Sequence, residues 1–108
     1  AVVKAMQTHL QHAGVQEQGC GALWNLAGND AIEVKIGEAG GVDAVVKAMQ
    51  THLQHAGVQE HGCGALMNLA AKDALRASIK DLGGCTAARS ASEAHGLSLA
   101  RELAEMLA

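Results

Sequence analysis

Proline, phenylalanine and tyrosine are absent from this chain, and Trp24 is its single aromatic residue. Without proline, the residue that removes a helical N–H and clashes with the preceding turn, no segment is barred from forming a helix. Without further aromatic rings, any core must be built from Ala, Val, Leu, Ile and Met, and small side chains in register favour helices packed closely together. Basic charge is also scarce: eight Lys and Arg stand singly against eleven Asp and Glu, for a net charge of −3. No basic stripe neutralises phosphates and no aromatics stack on bases, which argues against nucleic acid as a partner. No apolar run approaches the ~20 residues of a membrane span, and nothing resembles a signal peptide.

What the chain does have is repetition. Ala1–Ala27 reads AVVKAMQTHLQHAGVQEQGCGALWNLA and Ala44–Ala70 reads AVVKAMQTHLQHAGVQEHGCGALMNLA, differing only at Gln18/His61 and Trp24/Met67. A period of this size marks a solenoid, in which each repeat is one supersecondary unit and the core forms when neighbours stack. The chain opens on Ala1, inside a repeat phrase, as a fragment, a processed product or an engineered array would. The near-identity of the two blocks fits recent duplication or consensus-style design. We divide its 108 residues into phrases 1–43 and 44–86 and a degenerate capping repeat, 87–108.

Each phrase reads as three helical pieces. A short one covers Asp30–Glu38, capped by Asn29 or Asp30, and recurs at Asp73–Leu82 with Asp73 as the expected cap. Gly40-Gly41 and Gly83-Gly84 end these pieces, since glycine takes the left-handed conformation of a helix end without steric cost. A second helix, about Val42–Leu53, places Val45, Val46, Met49 and Leu53 along one stripe. A third, about Val58–Ala70, gathers Val58, Gly62, Cys63, Leu66, Leu69 and Ala70 on one broad face. In the last segment Leu99, Ala100, Leu103, Met106 and Leu107 form an amphipathic stripe, with Arg101, Glu102 and Glu105 outside it. The expected fold is therefore all-α.

IGEAGGVDAVVKAMQ…VQEHGCGALMNLA resembles an armadillo repeat, with its Gly-Gly before the second helix and its Asn-Leu-Ala near the end of the third. The resemblance runs from Ala1 to about Thr86 and implies a right-handed α-solenoid of three-helix repeats. It implies a protein- or peptide-binding scaffold whose concave face, lined by the third helices, holds a ligand backbone through an Asn in each repeat. The matching residues are Asn25 and Asn68, with Gln18 and His61 on the same strip. An amide there pairs with a peptide group through both its donor and its acceptor. The best-known peptide-binding members place a Trp one turn earlier, where this chain has Gly21 and Gly64, so the groove is expected to be shallow. Trp24 immediately precedes Asn25 and is expected to pack between repeats rather than anchor a ligand.

Other chemistry finds less support. Cys20 and Cys63 occupy one repeat position, and Cys85 stands alone. Packed helices lie ~8–10 Å apart while a disulfide needs Cα atoms within ~7 Å, so we expect reduced thiols and a cytoplasmic-type protein. Thr-His-Leu-Gln-His occurs twice, giving His9/His12 and His52/His55, which are weak adventitious metal ligands with no carboxylate or Cys to complete a set. The glycine-rich QGCGAL and HGCGAL lie inside expected helices and lack the Lys of a phosphate loop. We expect no enzyme and no cofactor. Finally, Val2, Val3, Met6 and Leu10 repeat the stripe of Val45, Val46, Met49 and Leu53 with no preceding repeat to cover it. That predicts self-association through the N-terminal end, most simply as a dimer.

Overall fold

The repeat in the sequence recurs in the backbone. The computed structural model describes residues 2–108, which form α1 (Val2–Thr8), α2 (Ala13–Leu26), α3 (Asp30–Glu38), α4 (Gly41–Thr51), α5 (Ala56–Leu69), α6 (Asp73–Asp81), α7 (Gly84–His95) and α8 (Ser98–Leu107). Among the described residues there is no strand. The bends fall at Gly40 and Gly83, whose φ angles of +86° and +92° lie in the left-handed region that favours glycine. The helices line up in rows: α1 packs on α4 and α4 on α7, while α2 packs on α5 and α5 on α8.

Helix ends explain most departures from the sequence reading. Asn29 caps α3, its Oδ1 accepting from the amides of Ala31 at 3.0 Å and Ile32 at 3.2 Å. In the second phrase Asp73 is not the cap. Lys72 takes the extended N-cap conformation with no side-chain bond, and Asp73 becomes the first helical residue, where its charge still complements the helix dipole. The third helices begin earlier than expected, at Ala13 and Ala56, because a histidine caps them. The Nδ1 atoms of His12 and His55 accept from the amides of Val15 and Val58, both at 3.2 Å. Such a ring nitrogen must be unprotonated, so these imidazoles play the part usually taken by Ser or Asp.

The core runs through the rows. Val45, Val46 and Met49 of α4 meet Val58, Cys63, Leu66 and Leu69 of α5, Ala88 and Ala91 of α7 and Leu103 of α8, all fully buried. Leu53, expected on this stripe, is only half-buried because α4 has already ended. A full helix, α7, stands where the sequence lacked a Val/Met stripe. It buries Ala87, Ala88 and Ala91 instead, small residues that let α8 lie close against it. On α8 the buried residues are Ala100, Leu103 and Leu107, while Met106, expected on the apolar stripe, is 39% exposed.

A buried glutamine braces each pair of long helices. Gln16 Nε2 donates to the carbonyls of Met6 at 3.0 Å and His9 at 2.9 Å; Gln59 Nε2 repeats this with Met49 at 2.8 Å and His52 at 3.1 Å. The Met6 and Met49 carbonyls lie in the last turns of α1 and α4, where a helix leaves its acceptors unpaired, and the glutamines supply the donor; the His9 and His52 carbonyls, just past those ends, also accept from the His12 and His55 amides. Both glutamines are fully buried, so a polar residue on the apolar face acts here as a strut.

Candidate functional site

The seam between α2 and α5 is where one repeat recognises the next. Asn68 Nδ2 donates to the carbonyl of Trp24 at 2.8 Å. The amide that would ordinarily take that carbonyl, on Gly28, bonds Asn25 instead, so Asn68 satisfies a helix-end acceptor. His61 donates from Nδ1 to the Glu17 carbonyl at 3.0 Å. His52 donates from Nε2 to Leu10 at 2.7 Å, and His95 repeats that bond one phrase later with Leu53, also at 2.7 Å. A carbonyl only accepts, which fixes the tautomer each ring must present.

Two glycines let the helices approach. The Trp24 ring lies against Gly64 so closely that a Cβ there would fall within the ring, and the Glu17 carboxylate lies against Gly57. Glu17 also faces His55 Nε2 at 3.8 Å. Trp24 is half-buried and tilted 56° to the His61 ring, with centroids 6.0 Å apart. It therefore packs between repeats.

Of the four strip residues, Gln18 and Asn25 on α2 are exposed, whereas His61 and Asn68 on α5 are half-buried and bonded to α2. The difference is one of position in the stack. Among the described residues α5 has α2 packed against this side, and α2 has no such neighbour. The same asymmetry appears in the apolar residues: Val15 and Ala22 are half-buried, while their counterparts Val58 and Ala65 are fully buried.

The stripe expected to drive self-association is largely covered within its own hairpin. Met6 is 1% exposed and Val3 8%, Met6 lying against Gly19 as Met49 lies against Gly62; Val2 and Leu10 are half-buried. What stays open is a groove of about 530 Å³ between α1 and α2. Val2, Ala5, Met6, Val15 and Ala22 line it, with Gln18 near its rim. Ala5, Val15 and Ala22 were not singled out in the sequence. Comparing each with the burial expected of its copy one phrase later would have found them.

The remaining side chains offer little to chemistry. Cys20, Cys63 and Cys85 are free thiols. Burial pushes Cys20 and Cys63 up to about 12, and for Cys20 the neighbouring Cys63 adds to the rise. A thiol that stays protonated at neutral pH is a poor nucleophile. Burial likewise raises the Glu33 carboxyl, with Lys72 opposing and Asp30 reinforcing the shift. Among the described residues no three His, Cys, Asp or Glu side chains are placed to hold a metal ion. His12 and His55 cap helices and His52 bonds Leu10, which leaves His9 as the one of the four His considered as ligands that makes no side-chain bond among the described residues. No helix among them is long and apolar enough to cross a membrane. Searches against protein-family models, curated proteins and solved structures find no match to this chain.

Proposed function

We propose that the chain is a non-enzymatic protein-binding scaffold of the armadillo type, a right-handed α-solenoid that meets its partner on the open side of α1 and α2. The observation that carries this reading is the asymmetry between identical residues. Val58 and Ala65 are fully buried by the preceding repeat, whereas Val15 and Ala22 are partly exposed beside an apolar groove. Binding sites are typically concave and mostly apolar, with a few placed polar groups, and Gln18 and Asn25 supply those on the same helix. The amide ridge of the resemblance thus narrows to its α2 members, since Asn68 and His61 already serve the stack. With no partner present the same face gives the chain a tendency to pair with itself.

A displayed peptide library selected on the immobilised chain tests this. Enriched peptides should lose binding to the Val15→Glu and Ala5→Glu variants and keep it on Arg101→Ala, at the far end. Peptides that bind all three equally well would place the site elsewhere.

A further inference from the structure

We propose that His55 and Glu17 form a pH-sensitive catch between α5 and α2. The neutral imidazole caps α5; the imidazolium releases that cap and ties the start of α5 to the Glu17 carboxylate.

The ring uses its two nitrogens differently. Nδ1 of His55 accepts from the Val58 amide at 3.2 Å, so the neutral ring carries its proton on Nε2. That nitrogen faces Glu17 Oε1 at 3.8 Å, too far for a hydrogen bond. A second proton can enter only at Nδ1, where it removes the acceptor and points an N–H at the N–H of Val58. Capping and protonation therefore exclude each other. The new charge also stands at the positive end of the helix dipole, which favours anions. An anion lies beside it, because the Glu17 carboxylate rests against Gly57 in the first turn of α5. The two side chains are 40% and 33% exposed, so both exchange protons with solvent. A shift of about 1 Å brings the ring nitrogen to the distance of a charge-assisted hydrogen bond.

Neighbouring histidines respond in the opposite sense. His52, His61 and His95 donate to the carbonyls of Leu10, Glu17 and Leu53, and a donor keeps its bond when its ring is charged. Acid thus leaves the seam tied while it loosens the first turn of α5. Among the described residues Glu17 is the one carboxylate in ion-pair contact with the His55 ring, and no acidic group of α4, α6, α7 or α8 shares it. Nor does any metal-ion set among them include this ring. An ordinary imidazole becomes charged near about pH 6.5, while an ordinary glutamate keeps its charge down to about pH 4.3. Between those values the two opposite charges coexist.

The test compares the full chain at pH 7.5 and pH 5.5. Amide hydrogen exchange, corrected for the intrinsic rate at each pH, should show Val58 losing protection about fivefold or more relative to Leu66 of the same helix, the scale of a lost cap. His55→Asn supplies a cap with no proton equilibrium, so its ratio should not change with pH. His12 makes the same cap bond to Val15 on α2, and its loss in acid is common to both proteins. The tie to Glu17 is read from a double-mutant cycle of His55→Asn and Glu17→Gln in urea denaturation. Coupling should appear at pH 5.5 as a roughly two- to fivefold effect on the unfolding constant, the worth of an exposed ion pair, and vanish at pH 7.5. A Val58 ratio that stays constant in the native chain, or that falls equally in His55→Asn, overturns the proposal. Coupling that is missing at pH 5.5, or equal at both pH values, also overturns it, because the charged ring is then not held by Glu17.

Discussion

Asn68 donates to the Trp24 carbonyl at 2.8 Å, while Asn25, its copy in the preceding phrase, has no such neighbour among the described residues and is exposed. One amide is a rivet between repeats and the other is a free polar group. Asn68→Ala should therefore destabilise the fold by about 0.5–1.5 kcal/mol, the net worth of one intramolecular hydrogen bond. Asn25→Ala should stay within roughly 0.5 kcal/mol, as surface changes do. Urea denaturation of the two variants checks the contrast, and equal effects would reject it.

The seam is also tested by a double substitution. Gly64→Ala sets a methyl group into the Trp24 ring and should cost about 1–3 kcal/mol, the usual penalty for overpacking. Trp24→Met should relieve most of that cost, because Met is flexible and the second phrase carries Met67 at this position. The cycle should be non-additive, and strictly additive effects would show that the two residues do not touch.

Gln59→Leu keeps the size of a fully buried side chain but removes the donor shared by Met49 and His52. A buried acceptor left unsatisfied costs roughly 1–3 kcal/mol, so the melting temperature should fall clearly. A variant as stable as the native chain would mean that the glutamine is not a strut.

The thiols set an alkaline limit. Cys20 and Cys63 sit near 12 in the folded chain, above the ordinary value of 9.0, so the folded state holds their protons longer than the unfolded state does. Their contribution to stability is complete below pH 9 and is lost as pH rises towards 12. Across that window stability should fall by about 1.4 kcal/mol per pH unit for each thiol that differs. Cys20→Ala with Cys63→Ala should flatten the slope in denaturant titrations at pH 9 to 11. An unchanged slope would assign it to other groups. Of the three thiols, half-buried Cys85 should react first with a disulfide reagent.

Self-association should follow the open groove. Light scattering should show the average mass rising above 11.0 kDa with concentration, and Val15→Glu should suppress the rise. A native chain that stays monomeric throughout would remove the pairing tendency and leave the groove to other partners.

The helices were legible because apolar spacing and the glycine bends are local signals, and α3 ends at Glu38 as read. Three features were not. Histidine at 12 and 55 reads as a ligand or a charge, and only the backbone reveals it as a helix cap. Gln16 and Gln59 were not singled out in the sequence, since nothing local indicates that carbonyls at the end of the preceding helix point at them. In α7 the buried face is alanine, which carries too little hydrophobicity to stand out as a stripe. For the candidate site, Gln18 and Asn25 were named from the phrase, but the division between exposed and bonded copies follows from stacking order. No single phrase contains that information.

The measurement closest to the central claim is amide chemical-shift mapping of the isotopically labelled full chain, titrated with the tightest peptide from the library selection. The account predicts saturable shifts concentrated on residues of α1 and α2, including Ala5, Val15, Gln18, Ala22 and Asn25, with α7 and α8 unmoved. Shifts centred on α7 and α8, or confined to the α5 residues His61 and Asn68, would contradict it.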